Sequence, residues 1–189
     1  MRHTRIIVTR YGGPDELQVV EEECPEPKNG EVRVRVLAAG VAYPDLLMRE
    51  GVHPEKPPLP FTPGWDLIGV VDGLGKGVSG IEPGQVIAAL PISGAYAQFV
   101  CLPQRELVPV PSGLDAPEAV SLVLNYITAY QMMHRSAQVR PGPARADSRS
   151  GRRSRLGTIA AWAPRGPRDV RHLFITKGVG RFRPGRCPN

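Results

Sequence analysis

Residues 31–41, EVRVRVLAAGV, alternate strictly at their start: Val32, Val34 and Val36 share one side and Arg33 and Arg35 the other. A period of two predicts a strand with one buried face. Short β-branched runs of similar character recur at RIIVTR (5–10), LQVVEEE (17–23), DLIGVVDGLG (66–75), QVIAAL (85–90), AYAQFVCLP (95–103) and LVPVP (107–111). Turn formers cut them apart, at YGGPDE, PEPKNG and GVSGIEPG. Two stretches break the pattern. PDLLMREG (44–51) reads as one short helix, with Pro44 and Asp45 at its start and Gly51 at its stop. HPEKPPLPFTPG (53–64) holds five prolines and predicts a constrained irregular loop. The one long helical candidate spans 115–138. Asp115 is placed to cap it, Pro117 suits its first turn, and Glu118 stands three residues after the cap. Many short strands and few helices predict a mainly β chain: a partly open barrel or sandwich, then a helix.

The periodicity stops at residue 142, and the charge changes there too. Residues 1–141 carry 12 basic and 16 acidic side chains, net −4; residues 142–189 carry 12 and 2, net +10, within a whole-chain charge of +6. The basicity therefore belongs to the tail, and the first part offers no basic face for nucleic acid. In the tail only HLFIT (172–176) has strand character. Its composition predicts an irregular, disordered segment that cannot bury enough apolar surface to offset chain entropy. The expected division is a domain over 1–142 and a basic tail over 143–189. Cys24, Cys101 and Cys187 form no CxxC pair, so neither a disulfide framework nor a structural zinc is expected. The start, MRHTRIIVTRYGG, lacks a cleavage-site pattern, and no run of about 18 apolar residues occurs. A cytoplasmic protein without a membrane partner is expected.

Six segments, in order, carry a resemblance: YGGPDELQV, GEVRVRVLAAGVAYPDLLMREG, PPLPFTPGWDLIGVV, GLGKGVSGIEPGQVIAAL, GAYAQFV and LNYITAYQMMHRSAQVRPG. Together they resemble the zinc-free quinone oxidoreductase (zeta-crystallin-like) branch of the medium-chain dehydrogenase/reductase superfamily. The resemblance implies a GroES-like β-barrel domain, with 115–138 as the start of the helix that crosses to a Rossmann domain. It implies NADPH as cofactor, hydride transfer to a quinone or an α,β-unsaturated carbonyl, and a homodimer. Zinc-dependent relatives carry a Cys after GV and a GHE later. Here Ala42, Trp65 and Asp66 stand in those places, and Ala and Trp cannot ligate a metal, so no zinc is expected. The zinc-free branch usually has an Asn where this chain has Ala42. Asp45 matches the family's loop. Tyr43 matches its aromatic residue, either touching substrate or packing on the barrel. These two are the candidate catalytic positions. Asn125, Tyr126 and Thr128 match the cofactor-facing part of the crossing helix; an amide and a hydroxyl there could hold a nicotinamide carboxamide. Alternatively, Thr128 bonds back within the helix and Tyr126 packs on Tyr130.

The family continues with a strand and a glycine-rich phosphate turn, where this chain has VRPGPARADSRSGRRSRLG (139–157). Arginine side chains there would block the close backbone approach to a pyrophosphate. The Rossmann domain is thus missing from the sequence after 142, and poor or absent NADPH binding is expected. Read one nucleotide later, codon choices exist that turn residues 143–154 into QRALIHGAGGGA and 168–178 into EMYGTCSSQRA. These resemble a phosphate turn and the following Rossmann strand about 20 residues on. A frameshift near codons 142 and 143 accounts for both. The alternative is a non-catalytic barrel scaffold whose basic tail binds a polyanion such as nucleic acid, nonspecifically. A zinc alcohol dehydrogenase fragment is a third reading, opposed by Ala42 and Trp65. Without a second domain, the helix face bearing Val120, Leu124 and Ile127 is expected to stay partly exposed and to drive association.

Overall fold

The computed structural model describes residues 1–138, of which Met1–Ala137 form one compact unit. The expectations for the tail, including the HLFIT strand, lie outside the described residues.

The alternating runs form strands. β1 (Arg2–Val8) and β2 (Leu17–Glu23) make an antiparallel hairpin. β3 (Glu31–Ala39), β4 (Leu67–Leu74), β5 (Val86–Ala89), β6 (Phe99–Pro103) and β7 (Val108–Pro109) form a five-stranded antiparallel sheet in the order β6-β3-β4-β5-β7. Its inner face follows the two-residue period: Val32, Val34, Leu67, Val71, Ile87 and Leu102 are buried in one cluster. Two register shifts interrupt β3, and Leu37, within the second, is exposed. Arg33, expected on the polar face, is mostly covered. It donates to Asp72 at 2.6 Å and to Glu26 at 3.0 Å.

The segment 95–103 is strand only from Phe99. Before that the chain changes partners: Ile6 N–H donates to Tyr96 O, and Gln98 N–H to Thr4 O, both within 2.9 Å. This switch docks the hairpin on the sheet and makes the open barrel. α1 (Tyr43–Glu50) ends at Gly51, which takes φ +76°. A side chain there would be strained and would also meet the Tyr11 ring. Met48 of α1 packs with Val8 and Phe61, flanked by Tyr11 and Trp65.

The long helical run begins as predicted, with the Asp115 carboxyl accepting from Glu118 N–H at 2.9 Å. It is not one uniform α-helix. α2 (Ala116–Ser121) passes into a π turn (Leu122–Tyr126), then α3 (Ile127–Gln131), then a second π turn (Met132–Ser136). The expected exposure of Val120 is corrected here. Val120 and Ala119 are buried against Ile68 of β4, which anchors the first turns to the barrel. Leu124 is partly covered, while Ile127 is 47% exposed and Tyr130 and Met132 are similarly open.

The cap yields a direct expectation. Asp115→Ala should lower unfolding free energy by about 1 kcal/mol, whereas Asp115→Asn should stay within a few tenths. Urea denaturation of the three chains measures the difference.

Candidate functional site

Four segments meet at one end of the barrel. Gly40 N–H donates to Asp66 O at 3.3 Å, joining the β3–α1 loop to the start of β4. Ile92 N–H donates to Trp65 O at 3.2 Å, and Ala95 N–H to Gly64 O at 3.3 Å, adding the β5–β6 connection. The fourth segment is the π turn, whose Val123 packs against the cluster of Ile68, Ala119 and Val120. The side chains these segments leave exposed are largely apolar: Val41, Tyr43, Ile92 and Ile127.

Asp45 lies beneath this rim and is only 4% exposed. Its Oδ2 accepts from Ala42 N–H at 2.9 Å and from Tyr96 Oη–H at 3.3 Å. Its Oδ1 accepts from Gly64 N–H at 2.9 Å. The side chain thus ties the start of α1 to the 61–66 loop and to Tyr96. Both of its oxygens accept hydrogen bonds within the described residues, so the side chain holds the loop in place. Tyr43, at the first turn of α1, is 70% exposed. Ala42 is buried, and Trp65 packs beside the Val8–Met48–Phe61 cluster with its ring edge-on to His53, centroids 5.8 Å apart.

Asn125 and Thr128 are exposed, and the Thr128 carbonyl accepts from Met132 N–H within the helix. Tyr126 is partly covered. The Tyr130 ring lies 4.4 Å from that of His134, centroid to centroid. The structure places Tyr43 on the α1 side of the rim and Asn125, Tyr126 and Thr128 on the helix side.

Two members of the site lacked a pattern in the sequence. Asp66, met there only as the residue after Trp65 in the GHE position, is 2% exposed, and its Oδ1 has no hydrogen-bond partner among the described residues. Burial pushes its carboxyl above the usual range, partly offset by the N–H groups of Gly40 and Leu124. Gly40 leaves room for it: a Cβ there would collide with Asp66 Oδ1. Tyr96 donates to Gly40 O at 3.2 Å as well as to Asp45, and burial and then Asp45 hold its hydroxyl above its ordinary value. Neither residue has a period or motif that could have marked it; only their shared closeness to Gly40 does. GKGVSG (75–80) matches the spacing G-x-G-x-x-G, but it connects β4 to β5 and opens no helix, so it lacks the anion-binding terminus that the motif needs. Cys101 is no nucleophile in waiting, since burial pushes its thiol up to about 11.

Two expectations follow from this geometry. Asp45→Ala would leave the Ala42 and Gly64 N–H groups without their acceptor, and should cost about 3–5 kcal/mol in thermal or urea unfolding. Asp66 binds its proton more tightly folded than unfolded. Its contribution is therefore full below the unfolded carboxylate value and is lost as pH rises through the raised folded value. The stability of Asp66→Asn relative to the parent should accordingly rise with pH across that window; a pH-independent difference would contradict it.

Residues 28–112 match the family model of the alcohol dehydrogenase GroES-like domain. The synaptic vesicle membrane protein VAT-1 homolog-like of Mus musculus is 33% identical over 137 residues, covering 72% of this chain and 33% of that protein. The quinone oxidoreductase of Rattus norvegicus is 34% identical over 139 residues, 72% of this chain and 42% of that protein. Among solved structures, the quinone oxidoreductase of Thermus thermophilus, also determined in complex with NADPH, superposes with a TM-score of 0.63 at 36% identity, covering 74% of this chain and 43% of that one. A probable oxidoreductase of Mycobacterium abscessus gives 0.70 at 37%, covering 76% and 46%. The chain thus spans a third to less than half of the relatives it matches. Residues 28–112 are an alcohol dehydrogenase GroES-like domain, with homologues among the quinone oxidoreductases and VAT-1 proteins of the medium-chain dehydrogenase/reductase superfamily.

Proposed function

We propose that the described domain is the substrate-side half of a zinc-independent, NADPH-dependent oxidoreductase of quinone oxidoreductase type. The observation that carries this reading is the rim itself. It presents apolar side chains, and it has Ala42 and Trp65 where zinc-dependent relatives place metal ligands. An apolar, metal-free rim suits a planar quinone or enone better than an alcohol that needs a Lewis acid. NADPH, when bound, supplies the hydride. The chain's own part is to hold and orient. Asn125 and Thr128 offer an amide and a hydroxyl to a carboxamide, Tyr43 and Val41 form the floor for a flat substrate, and Asp45 keeps the loop that bears them in place. No helix among the described residues is long and apolar enough to cross a membrane, and we assign the protein to the cytoplasm.

We further propose that residues 143–189 are out-of-frame translation of a Rossmann coding sequence. The support is the coincidence of three points: the resemblance stops at 142, glycine-rich coding reads as arginine-rich in the shifted frame, and the two shifted motifs keep the spacing of a βαβ unit. A second reading, a barrel scaffold with a polyanion-binding tail, is favoured by the +10 charge of that segment alone.

Fluorescence titration with NADPH should show no saturable binding below about 1 mM, an affinity weaker than about −4 kcal/mol. Independent sequencing of the source DNA across codons 138–180 should reveal a gained or lost base. Steeply salt-dependent nucleic-acid binding, lost on deleting 142–189, together with a confirmed reading frame, would favour the scaffold instead.

A further inference from the structure

We infer that Ile92 is a specificity-determining residue of the rim: a rigid apolar wall, held on a strained backbone, against which a flat carbonyl compound of the quinone class packs. The inference rests on the reading of the rim as a quinone or enone site.

Ile92 stands at φ +70°, in the left-handed region. A β-branched side chain there is crowded by its own backbone, and glycine or asparagine would take the place at less cost. The conformation is imposed by the segment 62–67, which holds the turn at both ends. Before it, Ala89 of β5 is paired with Leu67. From Ile92 onward, Ile92 N–H donates to Trp65 O at 3.2 Å, Gly94 N–H to Thr62 O at 2.8 Å, Ala95 N–H to Gly64 O at 3.3 Å and Tyr96 N–H to Pro63 O at 3.0 Å. Gly64, itself at φ +105°, lets the two segments close, since a Cβ there would collide with Tyr96 and Ala95. Such strain persists only where the surroundings over-determine it. The side chain adds little to the core in return. It is 45% exposed and joins none of the three buried clusters, nor the residues packed against them. An apolar group is therefore held in a costly conformation and shown to water, on the rim that also presents Val41 and Tyr43. Branching at Cβ leaves it little χ1 freedom, and the tied turn leaves its backbone little. Packing a ligand on it thus costs little ordering, and a fixed wall meets a planar ring over more area than a puckered one.

The full 189-residue chain tests this without any cofactor. Duroquinone is the probe, because its fully substituted ring resists thiol addition, and cyclohexanol is the puckered control. Saturation-transfer NMR on the ligand signals should show saturable binding of duroquinone and none of cyclohexanol over the same concentrations. Ile92→Ala and Ile92→Gly should each weaken duroquinone binding by about tenfold, the loss of one apolar side chain from the contact. Thermal unfolding reads the strain separately. Ile92→Gly should melt a few degrees above Ile92→Ala, the reverse of the order at an ordinary loop position, where the chain entropy of glycine places it lower. Parental duroquinone affinity in both variants would overturn the proposal and leave the reading of the rim standing. Equal binding of cyclohexanol, or Ile92→Gly melting at or below Ile92→Ala, would also overturn it. The reading of the rim fails separately: a parent chain with no saturable duroquinone binding would defeat that reading and this inference with it, whatever the melting order.

Discussion

The Asp45 carboxyl group is the joint on which this end of the molecule depends. One buried side chain serves Ala42 N–H, Gly64 N–H and the Tyr96 hydroxyl, and these lie on three segments that are distant in sequence. In water such donors would be satisfied by solvent. Inside the barrel end each would be left costly without this acceptor. The β3–α1 loop, the proline-rich loop and the approach to β6 therefore hold one arrangement together, because the same two oxygens serve all three.

Everything above the joint inherits its position. α1 starts where Asp45 accepts from Ala42, so Tyr43 is presented outward at the first turn while Met48 is turned inward against Val8 and Phe61. Trp65 and Asp66 follow the anchored Gly64, and Ile92 is tied to Trp65 O. The contrast between the two carboxyls is physical. Asp45 has three donors at 2.9–3.3 Å, whereas Asp66 has one oxygen without a hydrogen-bond partner among the described residues, and burial holds its carboxyl above the usual range. One stabilises the rim, and the other stores an unmet demand beneath it.

This chain covers 42–43% of the quinone oxidoreductases it matches. The barrel contributes shape, apolar surface and a fixed helix start, and the helix leaves the barrel with Ile127, Tyr130 and Met132 uncovered. This division explains why Val120 and Ile127, seven residues apart on one helix, have opposite surroundings. The first rests on Ile68 and is 8% exposed, while the second is 47% exposed.

The strands, the short helix with its Gly51 stop and the Asp115 cap were legible in the sequence because each is a local matter. Two-residue alternation, turn chemistry and capping act over a few residues, and a linear pattern records them. So was the replacement of metal-ligating types by Ala42 and Trp65, which needs only residue identity. The switch of partners at 95–98, the covering of Arg33, the π turns and the roles of Asp66 and Tyr96 were not legible. Each is settled by groups brought together from far along the chain: Thr4 with Gln98, Arg33 with Asp72, Gly40 with Asp66 and Tyr96. Whether a carboxyl catalyses, clamps or titrates depends on how many donors reach it and how much water is left beside it. Those quantities exist only once the chain has folded.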